Sequence, residues 1–96
     1  MTNKGFKAMK DSGFTPVLPK TLEELNMTRN GLAVEAKVRP GSINDLYSGD
    51  SRTVHFETLQ TIIDTLNRQG FEKGLSRKFT IEDVFKYDAR TKKSAE

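Results

Sequence analysis

The chain contains no cysteine and no tryptophan, and its single histidine is His55. Without thiols no disulfide can staple the fold, and no thiolate is on hand for nucleophilic chemistry or zinc. A lone His55 does not make a metal site and reads as a loop or helix-capping residue. Nowhere does an apolar run approach the roughly 20 residues needed to cross a bilayer. The opening MTNKGFKAMKDSGFTP carries lysines but lacks the apolar centre of a secretory leader. A soluble cytoplasmic protein is therefore expected. The parts of an enzyme are also missing: there is no glycine-rich phosphate loop, no Ser/His/Asp arrangement and no ligand cluster. Glu23-Glu24 and Glu82-Asp83 are neighbours in sequence, and on a helix neighbours point about 100° apart. They suit caps and dipole partners better than an acid–base pair. No catalytic residue, cofactor or metal is expected.

What remains is a 96-residue chain, a length suited to one domain, with 34% hydrophobic residues and so a modest core. The net charge is +3 and the isoelectric point about 9.3, a balance that suits a nucleic-acid partner and also suits solubility alone.

The apolar spacing places the elements. Residues 1–19 lack periodicity and hold Gly5, Gly13, Pro16 and Pro19, which predicts a loosely ordered arm. Lys4, Lys7, Lys10 and Lys20 make that region basic, either as a solvated tail or as an arm that tracks phosphates. Thr21 and Glu24 have capping-box spacing, so a short first helix is expected from Thr21 to Asn26, with Leu22 and Leu25 inward. Thr28 caps a second helix over Arg29 to Lys37, which Gly31 weakens by about 1 kcal/mol relative to alanine. Leu32, Ala33 and Ala36 form its inner face, and Val38 closes a turn.

Pro40 suits the first position of a third helix that ends at Gly49 and is anchored by Ile43 and Leu46. A polar loop, Asp50 to His55, follows. Leu59, Ile62, Ile63 and Leu66 make the core stripe of a fourth helix, which Phe71 extends towards Lys73 before Gly74. In FTIEDVFKYD, Thr80 to Asp83 has cap spacing; Ile81, Val84 and Phe85 suit a fifth helix, while the alternation of Phe79 and Ile81 suits a strand. Ala89 to Glu96 is polar and expected to fray.

Two short helices joined by a tight turn over TRNGLAVEAKVRPGSINDLYSG form the outline of a helix-turn-helix. The longer stretch from Met27 to Asn67 resembles the Cro/CI-type (Xre) family of phage repressors and bacterial regulators. The resemblance rests on Met27-Thr28, Leu32-Ala33, Ala36, Val38, Ile43, Leu46 and Gly49, followed by a leucine-rich helix over Phe56 to Asn67. It implies an all-α, compact four- to five-helix bundle of lambda-repressor-like type. In such a fold residues 20–74 would be the helix-turn-helix domain, and residues 75–96 a candidate dimerisation element with a frayed tail.

The resemblance also implies sequence-specific binding of double-stranded DNA by a homodimer that regulates transcription, as a repressor, by occupying an operator. Pro40, Gly41, Ser42, Asn44, Asp45 and Ser48 would lie on or near the face turned to the bases. Arg29, Lys37, Arg39 and Arg52 would hold phosphates. Three departures from the family pattern bear on function. Lys37 stands where the family has its turn glycine. Pro40 and Gly41 replace polar readout side chains. No arginine on the third helix can read guanine, leaving Asn44 for adenine and Asp45 for a cytosine amino group. Discrimination would then be narrow, or shared with Arg39, the arm or DNA shape. The segment Phe71 to Tyr87, with Phe79, Ile81, Val84 and Phe85, is the expected dimer surface. An alternative on the same fold is a protein-interaction module, an antitoxin or an antagonist of a phage or host factor.

Overall fold

A computed structural model describes residues 7–88. Four α-helices carry the fold: α1 (Leu18–Leu25), α2 (Arg29–Ala36), α3 (Pro40–Ser48) and α4 (Phe56–Glu72). A 3-10 turn at Met9–Ser12 precedes strand β1 (Phe14–Pro16), and a second at Ile81–Asp83 precedes strand β2 (Phe85–Tyr87).

The expected all-α class is therefore corrected by a small sheet. β1 and β2 pair antiparallel, Phe14 opposite Tyr87 and Pro16 opposite Phe85. The pairing is held by aromatic contacts: Phe14 meets Phe85 edge-on at 5.6 Å and Tyr87 at 5.0 Å between ring centroids. Pro16, which has no amide hydrogen to offer a ladder, stands at the strand's end.

The same pairing corrects the loosely ordered arm. Within residues 7–19, Met9 and Leu18 are buried, and the Met9 and Lys10 amides donate to the carbonyls of Ser51 and Gly49 at 2.8 and 3.2 Å. Residues 1–6 and the tail 89–96 lie outside the described residues.

α1 starts three residues earlier than its capping-box spacing predicts. Pro19 is accommodated in the first turn, where a missing amide hydrogen costs nothing. The capping box at Thr21 does not form. Thr21 is buried, and its hydroxyl donates to the Asp83 carbonyl at 2.7 Å, tying α1 to the C-terminal segment. α2 is capped as expected, with the Thr28 hydroxyl accepting from the Gly31 amide at 2.8 Å.

Along α4 the buried positions are Leu59, Ile62, Thr65, Leu66 and Gly70. Phe71 is 83% exposed, which overturns its place in the core. Ile63 already sits at the margin of the stripe, and eight residues further on the helix has turned about 80° past it. Gly70 takes the core position instead, and a Cβ there would lie 2.8 Å from the Phe79 ring.

Phe79 and Val84 are fully buried. This removes both from the expected dimer surface: they close the core. No fifth helix forms among the described residues. The Thr80–Asp83 capping box is present, but it caps only one 3-10 turn before β2 takes the chain.

Two polar clasps hold the C-terminal segment down. Asn67 grips the Phe79 backbone at both ends, its Oδ1 accepting from the amide at 2.7 Å and its Nδ2 donating to the carbonyl at 2.9 Å. Arg77 lies over the Phe79 ring at 4.1 Å, reaches both Glu24 oxygens at 2.9 Å, and donates to Asp83 at 2.7 Å. Arg77 holds the Glu24 carboxyl below its usual range. Partial burial pushes Asp83 up, but the bonds from Arg77 and the Thr80 amide together outweigh it and leave that carboxyl low.

Because both carboxyls are depressed in the folded state, their contribution is present above about pH 4 and is lost as pH falls through their folded values. Arg77→Met is expected to lower the thermal midpoint by roughly a few degrees at neutral pH. It should also flatten the loss of stability below about pH 4, read by thermal melts across an acid series.

Candidate functional site

α2 and α3 are joined by only Lys37, Val38 and Arg39. The connection is tight because Lys37 adopts the left-handed conformation, φ 59° and ψ 43°, as the C-cap of α2. In that pose its amide and that of Val38 reach the last carbonyls of the helix, Val34 at 3.3 Å and Ala33 at 3.0 Å. Lysine thus does what glycine does more cheaply, with its side chain left exposed. Arg39 is the N-cap residue of α3 and Pro40 its first residue.

α3 divides its residues by the helical period. Ile43 and Leu46 are buried in the core, and α3 packs against α2 and α1. Pro40, Gly41, Asn44, Asp45 and Ser48 are exposed and recur at the spacings that line one helix edge. A Cβ at Gly41 would meet nothing within 4 Å, so this end of the edge is open space. Gly49, at φ 89°, stops the helix, and the Asp45 carbonyl accepts from the Gly49 and Asp50 amides at 3.0 and 2.9 Å.

Four cations lie on the segments adjoining that edge: Arg29 at the start of α2, Lys37 in the turn, Arg39 at the cap and Arg52 in the loop to α4. All four are exposed, and no ion pair to a carboxylate forms at any of them among the described residues. Arg29 is positioned by Tyr47 of α3, whose ring lies 4.7 Å from the guanidinium carbon. Tyr47 is itself half-buried.

Two candidate residues are placed differently from the rest. Ser42 is half-buried at the flank of α3 and lines a polar cleft of about 420 Å³ with Asp45, Asp50, Arg52 and His55. Ser48 stays on the edge, but its hydroxyl donates to Asp50 at 2.9 Å. Asp50 also receives Lys10 at 2.7 Å, which with Ser48 holds its carboxyl below the usual range. The Lys10–Asp50 pair had no signal in the sequence, because the partners lie 40 positions apart and neither belongs to a motif. Its effect is local neutralisation: the acidic end of α3 carries Asp45 and Asp50, and Lys10 cancels one of the two.

The edge offers hydrogen-bonding groups on short side chains, with flexible cations around it. That arrangement can meet a surface bearing regularly spaced anions. Among the described residues no group of three or more His, Cys, Asp or Glu side chains could hold a metal ion. No described helix is long and apolar enough to cross a membrane. Compared with models of known protein families, with curated proteins and with solved structures, the chain matches none.

Proposed function

We propose that this protein binds double-stranded DNA, α2 and α3 acting as a helix-turn-helix whose α3 edge enters the major groove. The observation that carries the reading is the exposed edge of Pro40, Gly41, Asn44, Asp45 and Ser48, with Arg29, Lys37, Arg39 and Arg52 on the adjoining segments and without carboxylate partners among the described residues. A cation already neutralised by a neighbour gains little from a phosphate; these four are unspent. The short side chains let the helix backbone come close to the bases, with Asn44 suited to adenine and Asp45 to a cytosine amino group. The biological role is that of a small transcriptional repressor that acts by occupying an operator, as a homodimer on two related half-sites.

Binding to a mixed-sequence duplex across a salt series tests this directly. The logarithm of affinity should fall linearly with that of salt, with a slope near −0.9 per phosphate neutralised. Arg39→Ala and Arg52→Ala should each weaken binding about threefold and make the slope shallower by about one. Absence of binding at low salt, or indifference to both substitutions, would leave the interaction-module reading in its place. Selection from a random duplex pool is expected to return two related half-sites, settling site and dimer together.

A further inference from the structure

A second concavity lies behind α3, away from the exposed edge. It has a volume of about 260 Å³, and Met9, Phe14, Val54 and Phe85 line it, with Lys7 and Arg52 among the residues at its margin. Phe14, Val54 and Phe85 pack against the core but are only half-buried, so they keep apolar surface that the fold leaves uncovered. The edge-on contact of Phe14 with Phe85 fixes two of the lining rings relative to each other. The volume falls below the roughly 300–1,000 Å³ of pockets for drug-sized ligands, so it suits a smaller ligand; Ser12, Ser51 and Thr53 add hydroxyls to the lining. Lys7 and Arg52 have no carboxylate partner among the described residues, and no acidic residue lines the cleft. An apolar cleft with two unspent cations is complementary to an amphipathic anion.

We infer that this cleft binds a small hydrophobic carboxylate, of the size of an eight-carbon fatty acid, with its tail against Phe14, Val54 and Phe85 and its carboxylate between Lys7 and Arg52. Leu46 of α3 also borders the cleft, so the ligand rests on the underside of the helix whose other face is the candidate interface. Arg52 is common to both sites. An anion that engages Arg52 withdraws it from phosphate, so ligand and duplex compete for one side chain. This second step rests on the DNA-binding reading above; the carboxylate site itself does not.

Sodium octanoate, octanol and octylamine are the probes, titrated into the full chain without DNA and followed by methyl and backbone NMR shifts. Octanoate should saturate in the millimolar range or below, moving the signals of Met9, Val54 and Phe85. Octanol should bind about fivefold more weakly, octylamine weaker still, and Arg52→Gln or Lys7→Gln should each cost octanoate about threefold. Equal binding of octylamine, no saturation by about 20 mM octanoate, or indifference to both charge substitutions overturns the proposal. A tenfold gain in octanoate affinity on Phe6→Ala would assign the cleft to this chain's own N-terminus and overturn it equally. In a separate arm, saturating octanoate should weaken duplex binding of the wild type about threefold and leave that of Arg52→Gln unchanged. If the chain binds octanoate but no duplex, the DNA-binding reading fails alone; if it binds duplex but no octanoate, the carboxylate site fails alone.

Discussion

Phe79→Ala is expected to cost about 3–5 kcal/mol, the range for deleting a buried aromatic ring. Phe71→Ala, on the neighbouring stretch, should stay within about 0.5 kcal/mol of the wild type. The contrast follows from exposure: Phe79 is 1% exposed and Phe71 83%. Phe79 also cannot be replaced by rearrangement around it. Its ring occupies the space that Gly70 leaves on α4, with Arg77 on its face and Asn67 bound to its backbone. Collapse into the vacated volume would require α4 to move as a unit. A loss of that size is a large part of the total stability of a small domain. Urea unfolding of the two variants decides the matter; equal midpoints would mean that the C-terminal segment is not part of the core.

The different fates of these two phenylalanines show where sequence reasoning reaches and where it stops. Local chemistry was legible. Thr28 caps α2, Pro40 opens α3, Gly49 closes it in the left-handed conformation, and the stripe from Leu59 to Leu66 is buried apart from the marginal Ile63. Each depends on residues within a turn or two of one another. Two of the failures involve partners remote in the chain. Thr21 has the spacing for a local cap, but the Asp83 carbonyl outcompetes it across 62 positions. Ile81, Val84 and Phe85 have the spacing of a short helix, but β1 supplies Phe85–Tyr87 with a ladder and two aromatic contacts that no helix there would make. Phe71 lies beyond the point where the core stripe of α4 rotates away from it, a local effect of the helical period.

For the candidate site the division is similar. The exposed edge of α3 follows from helical period alone, whereas the neutralisation of Asp50 by Lys10 and the seating of Arg29 on Tyr47 required the tertiary arrangement. Both bear on charge at the interface, so the sequence alone misjudges how acidic that face is.

Gly41→Arg is expected to strengthen duplex binding about tenfold and to steepen its salt dependence by about one unit of slope. The position is open, with nothing within 4 Å of a Cβ built there, so the longer side chain displaces no packed atom. Helix propensity also favours the change, by up to about 1 kcal/mol in a helix interior and less near the first turn. The fold should therefore be as stable as the wild type or slightly more so, and any change in binding can be read as an effect of the edge. If α3 lies in the major groove, a guanidinium at position 41 reaches a phosphate or the O6 and N7 of a guanine, and selection should then show a new guanine preference in each half-site. An edge that instead docks on a protein would gain at most the non-specific attraction of one added charge, with no base preference. A stable Gly41→Arg variant whose duplex affinity and base preference match the wild type would remove α3 from the groove.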